Sequence, residues 1–189
     1  NQIWVFISDR GLYRFDIQNQ ELQLINHDIL EATSMTSNQT GDIFIANYHG
    51  VYIFHNASRK ISKVFQKNLS SDQVNQLTLV NDDQLWVSTQ DNGISIIDLK
   101  NDNVRYLNQS SLAPNALTSN AIYTTYVGKD NKKWIGTAKG GIHLIDDQQL
   151  NFQSQQDKSL QNNTNYPKFV RSFAQVDPST LWIGTEGNG

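Results

Sequence analysis

The stretch KKWIGTAKGGIHLID, residues 132–146, concentrates residue types that phosphate and metal chemistry use. Gly136, Gly140 and Gly141 could expose backbone amides, Lys139 adds a cation, and His143 and Asp146 are metal-ligand types. A phosphate loop needs the order G-x-x-x-x-G-K-[ST] and a following helix whose N-terminus faces the anion. GTAKGG lacks that order, and no helical periodicity follows it. The histidines at 27, 49, 55 and 143 have no metal-ligand spacing, and H-E-x-x-H and G-x-S-x-G are absent. DNKK and NDN lack the alternating oxygen ligands of a calcium loop. With no cysteine, neither a disulfide framework nor a thiolate zinc site is available. The sequence therefore points to no catalytic residues, no metal and no cofactor, and to a chain that is not an enzyme.

The glycine-rich stretch is instead one copy of a repeat. IWVFISDRGLYRFD (3–16), IFIANYHGVYIFH (43–55), LWVSTQDNGISIID (85–98), KWIGTAKGGIHLID (133–146) and LWIGTEGNG (181–189) share one pattern. Their anchoring aromatics, Trp4, Phe44, Trp86, Trp134 and Trp182, stand 40, 42, 48 and 48 residues apart. A glycine follows at Gly11, Gly50, Gly93, Gly141 and Gly189, where a turn that needs positive φ is expected. Asp16, His55, Asp98 and Asp146 then end the next strand, and Asp at that place can cap the turn.

Each unit reads as four short antiparallel strands. The first is VNQLTLV (74–80), AIYTTYV (121–127) or FVRSFAQV (169–176), and the second is the tryptophan phrase. The third follows the glycine, and the fourth is weaker, as in NVRYLN (103–108) or LNFQSQ (150–155). Four strands per 40 to 48 residues is the signature of a β-propeller blade. The all-apolar runs IWVFI and ISII suit strands covered by a neighbouring blade on both faces, which places the tryptophans in the inter-blade core. The expected fold is all-β, about four blades forming an arc of a larger propeller. Its units are a partial blade over 1–31, blades over 32–73, 74–120 and 121–168, and a partial blade over 169–189. Both ends fall inside a strand phrase, which is expected of a segment of a longer chain.

The chain is 189 residues long with net charge −3, and its Lys and Arg residues are scattered singly. That lacks the basic stripe of a nucleic-acid binder. No apolar run is long enough to span a bilayer. Asn and Gln make up about a fifth of the residues, so polarity comes from amides more than from charge. The turns between second and third strands vary from repeat to repeat and should emerge on one face of the propeller. They offer Arg10, Tyr48, His49, Asp91, Asn92, Lys139 and Glu186 as candidate ligand-binding residues. Amides and carboxylates can each bond two adjacent sugar hydroxyls, and an aromatic face can stack on a pyranose.

The phrase LWIGT…GG(I/L)…D, with SL…LTSNAIYT (111–124) before it, resembles the two-component regulator propeller repeat. The resemblance covers nearly the whole chain and is strongest from Leu85 to Gly189; FISDRG, IANYHG and His55 depart from it. It implies part of a seven-bladed propeller in the periplasmic sensor portion of a hybrid two-component regulator or diguanylate cyclase. It also implies an oligosaccharide ligand, and protein contacts within a receptor dimer that bias a distant output domain. Two other classes stand beside this reading. One is a propeller lyase or hydrolase whose catalytic residues lie in further blades, and the other is a protein-interaction scaffold.

Overall fold

The computed structural model describes residues 2–65, 69–109, 116–146, 149–154 and 169–186, with backbone alone at residue 2 and over 149–154. Gly189 and the whole SLAPN segment at 111–115 lie outside the described residues. Among the described residues there are seventeen strands and no helix.

The first sheet holds β1 (Gln2–Ile7), β2 (Gly11–Asp16) and β3 (Glu21–Asn26) in that order. The second holds β4 (Ser34–Ser37), β5 (Ile43–Asn47), β6 (Gly50–His55) and β7 (Lys60–Val64). The third holds β8 (Val74–Asn81), β9 (Gln84–Thr89), β10 (Ile94–Asp98) and β11 (Val104–Leu107). The fourth holds β12 (Ile122–Val127), β13 (Lys133–Thr137), β14 (Ile142–Asp146) and β15 (Gln149–Ser154). The fifth holds β16 (Val170–Asp177) and β17 (Thr180–Thr185). All pairings are antiparallel between consecutive strands, so each sheet is a meander with its first strand on one edge.

Sheets pack face to face through three apolar clusters. Leu12, Ile29, Ile43, Ile45 and Phe54 join the first sheet to the second. Phe44, Val51, Val74, Leu77, Leu85 and Ile97 join the second to the third. Trp86, Ile94, Leu117, Ile122 and Ile135 join the third to the fourth. Alternate residues of β5 serve different clusters, Ile43 and Ile45 on one face and Phe44 and Ala46 on the other. A strand buried on both faces cannot alternate apolar with polar, which is why β5 reads IFIA without a charge.

The repeat's punctuation does what its chemistry allows. Gly11, Gly50, Gly93 and Gly141 open their strands at φ +102°, +122°, +79° and +73°. Asp16 accepts hydrogen bonds from the backbone N–H of Gln18 and Asn19 at 2.9 and 3.3 Å, and Asp98 accepts one from Lys100 at 2.9 Å. At His55, where the repeat lacks its aspartate, Asp42 reaches across from the β4–β5 turn instead. It accepts the Asn56 N–H at 2.9 Å and lies 3.5 Å from His55 Nδ1.

One of the four tryptophans departs from the sequence expectation. Trp86 is 3% exposed, Trp4 packs on Phe54 with ring centroids 5.8 Å apart, and Trp134 meets Phe173 at 6.4 Å. Trp182, at the same repeat position, is 65% exposed. Its face of the fifth sheet carries no covering sheet among the described residues, so one copy of the core tryptophan is on the surface.

Candidate ligand-binding site

The first strands of successive sheets, β4, β8, β12 and β16, lie side by side and are stitched by side chains rather than by a backbone ladder. Thr33 Oγ1 donates to Val74 O at 2.7 Å, and Leu77 N–H donates to Ser34 Oγ at 3.0 Å. Asn75 Nδ2 donates to Ile122 O at 2.8 Å, and Thr125 N–H donates to Gln76 Oε1 at 2.6 Å. The β5–β6 and β9–β10 turns come out at one end of these strands together with the segments linking the sheets. Gln90 N–H bonds Gln73 O at 3.0 Å, Gly93 N–H bonds Asn120 O at 2.8 Å, and Asp9 N–H bonds Leu30 O at 2.9 Å. These bonds hold the turns against the inner strands and shape one loop face.

Pairing along three of the inner strands slips at an equivalent place. The register breaks between Val74 and Gln76, between Ile122 and Thr124, and between Val170 and Ser172. The residues skipped are Asn75, Tyr123 and Arg171, spaced by 48 and 48. A bulged residue is released from the ladder and its side chain is re-aimed, a device common beside functional sites. Here all three line one concavity of about 400 Å³ at the loop face, with Tyr48 and Gln90 completing the wall. A second hollow of about 380 Å³ shares Asn75, Tyr123 and Arg171 and continues down the inner strands past Gln76 and Thr125.

The charge in this mouth is internally balanced. Arg171 donates from Nε to Glu186 Oε2 at 2.8 Å, and its Nη2 reaches the same oxygen. That hydrogen bonding holds the guanidinium charged, above its already high ordinary value. The guanidinium lies over the Tyr123 ring, 4.0 Å from its centroid, and Tyr123 stacks on Phe169 at 6.5 Å. Tyr48 is 55% exposed and offers a free aromatic face. Asn75 spends its Nδ2 donor on Ile122 O, leaving its carbonyl oxygen for a ligand. Aromatic faces, amide groups and one neutralised cation can hold a polar, uncharged molecule through stacking and hydroxyl hydrogen bonds.

All seven residues singled out in the turns are exposed. Tyr48 lines the mouth directly, and Glu186 acts there through Arg171. Arg10, His49, Asp91, Asn92 and Lys139 are not among the residues lining it. Asn92 is occupied in the loop, donating from Nδ2 to Ser70 O at 3.0 Å. Asn75, Tyr123 and Arg171 sit inside strands, where the sequence pattern marks them only as strand residues. The signal that could have found them is a fixed repeat position, 48 residues apart, at which the residue type changes from amide to phenol to guanidinium.

No protein-family model matches the chain, and no curated protein matches it. Solved structures do. The extracellular domain of the putative hybrid two-component system BT3049 from B. thetaiotaomicron superposes with a TM-score of 0.74 at 22% identity, covering 100% of this chain and 25% of that one. The β-propeller domain of Cps50 (Swd1) from Myceliophteria thermophila gives 0.63 at 12% identity over 98% of this chain and 64% of that one. The fold is a β-propeller. PorZ, a bacterial surface component of the type-IX secretion system of Porphyromonas gingivalis, gives 0.73 at 15% identity over 98% of this chain and 30% of that one. The chain thus spans a quarter of the BT3049 domain's length.

Proposed function

We propose that this chain is part of the sensor propeller of a two-component-type receptor, non-catalytic and held outside the cytoplasm, which binds a neutral oligosaccharide at its loop face. The observation that carries the reading is the convergence of the bulged residues Asn75, Tyr123 and Arg171 with Tyr48 and Gln90 around one mouth. The likeness to the extracellular domain of a putative hybrid two-component system supports the receptor setting. The Arg171–Glu186 pair supports the neutral class, because the guanidinium already has its counter-charge and an acidic sugar would have to compete for it. A ligand touching Tyr48, Gln90, Tyr123 and Arg171 bridges four consecutive sheets. Binding then favours one relative setting of the blades, and a receptor dimer packed on them can pass that preference to an output domain.

The test is calorimetric titration of the protein with neutral gluco-, xylo- and manno-oligosaccharides beside oligogalacturonates. A neutral oligomer should bind; Tyr48→Ala should weaken it by roughly tenfold through loss of stacking, and Tyr123→Ala should weaken it by removing the ring that positions Arg171. Binding unchanged in both variants, or no binding by any member of the panel, would remove the ligand at the mouth.

A further inference from the structure

A larger cavity lies away from the loop face. It is a cleft of about 710 Å³ between the second and third sheets, opening among the β4–β5, β8–β9 and β10–β11 turns at the opposite ends of the strands. Both of its walls are complete four-stranded sheets. The floor is apolar: Phe44, Ile53, Val64, Phe65 and Leu99, all packed on the cluster that joins the two sheets. Phe65 holds φ +57°, an uncommon backbone for a bulky aromatic.

The rim is acidic. Asp42, Asp82 and Asp102 line it, together with His55, Asn38 and Lys63. Asp42 is engaged by Asn56 N–H and His55. Asp82 and Asp102 have no hydrogen-bond or ion-pair partner among the described residues, and both are exposed. Lys63 lines the cleft, but its ammonium and the Arg59 guanidinium lie near rings on the other face of the second sheet. Lys63 Nζ lies 5.9 Å from the Tyr52 ring centroid, and the Arg59 guanidinium lies 5.9 Å from that of Phe54. Both rings belong to the interface with the first sheet, on the far side of β6 from Ile53. Lys60, opposite His55 in the ladder, is exposed and is not among the lining residues. The cleft also adjoins the one third-strand end at which the repeat's aspartate is replaced, by His55.

We infer that this inter-blade cleft is a second binding site, for a small amphiphilic organic cation, with the apolar body on Phe44, Ile53, Phe65 and Leu99 and the ammonium between Asp82 and Asp102. The volume falls within the usual range for small-molecule sites. Apolar burial supplies most of the affinity, and the two carboxylates supply the choice of a cation over its neutral counterpart.

The experiment is an NMR titration of the protein with 2-phenylethylammonium, 2-phenylethanol and 3-phenylpropanoate. The ammonium should bind roughly tenfold tighter than the alcohol, as two solvent-facing charge contacts allow. The propanoate should bind weakest, and shifts should centre on Val64 and Leu99 rather than on Tyr48 and Tyr123. In the double variant Asp82→Asn/Asp102→Asn the ammonium should fall to the level of the alcohol while the alcohol is unchanged. Asparagine keeps the shape of both turns and tolerates the φ +57° of residue 102, so this variant isolates charge from folding. Equal binding of ammonium and alcohol, a cation preference that survives the double variant, or no shift at the cleft with any of the three compounds would overturn the assignment.

Discussion

Single residues in this chain do different work at equivalent repeat positions, and space decides which. Gly93 and Gly141 hold similar backbones, φ +79° and +73°. A methyl at Gly93 would press on the Leu107 carbonyl oxygen and lie 3.0 Å from Asn108 Cα, whereas one at Gly141 would meet nothing within 4 Å. Gly141→Ala should therefore cost only the left-handed backbone, about 1–2 kcal/mol. Gly93→Ala should add roughly 1–3 kcal/mol of overpacking to that. Urea denaturation of the two variants measures the difference, and equal losses would contradict the geometry. His143 and Ser95 are another equivalent pair. His143 is 1% exposed, takes the Thr118 N–H at Nε2 over 3.4 Å, and has Thr118 Oγ1 at 2.8 Å from the same nitrogen. Burial lowers its pKa below the ordinary 6.5. Below that value the unfolded chain takes up a proton that the folded chain refuses, so His143 costs stability as pH falls from about 6.5 towards the folded-state value. Melting temperatures should drop on acidification through that window, and His143→Ser should have a shallower drop. An identical slope would show that other groups carry the acid sensitivity.

At the scale of elements, the inner strands are joined by side chains that reach the neighbouring backbone. Thr125 is 3% exposed, and its N–H donates to Gln76 Oε1 at 2.6 Å. Gln76→Ala leaves that donor without its partner between two sheets and should cost about 1–3 kcal/mol. Chemical denaturation measures the loss, and a cost within a few tenths would mean the stitches are dispensable. The elements were unevenly legible. β8, β12 and β16 were readable as VNQLTLV, AIYTTYV and FVRSFAQV because their apolar and β-branched residues recur at the repeat spacing. β4, reading SMTS, carries almost no hydrophobic signal. It is a strand because it pairs with β5 and because Ser34 Oγ accepts the Leu77 N–H of the next sheet, interactions no local pattern announces. The bulges at Asn75, Tyr123 and Arg171 were hidden for the same reason. A register slip belongs to two strands together, not to either sequence alone.

Across the whole molecule, sheets bury each other in series, so the end sheets keep exposed apolar faces. Trp182, Ile183 and Val176 are exposed on the fifth sheet, and Ile3, Leu22 and Leu24 on the first. Surface of that kind favours self-association. Sedimentation velocity on this 189-residue chain should show mass rising with concentration, and Trp182→Arg should reduce it. A monomer at all concentrations would show that these faces are too polar in sum to associate.

The sequence by itself determined the strand content, the repeat and the propeller blade, because short apolar and β-branched runs, turn glycines and capping aspartates act over a few residues and recur at one spacing. It also placed the variable turns on one face. Only the tertiary structure decided which variable residues meet. Tyr48 lines the mouth while Lys139 does not, although both occupy the same kind of turn. Trp86 is buried while Trp182 is not, although the phrases around them match. A repeat specifies what each unit is, but a site forms where units touch, and those distances depend on the packing of neighbouring sheets. The mouth and the cleft both draw residues from more than one sheet, and no single unit's sequence contains either.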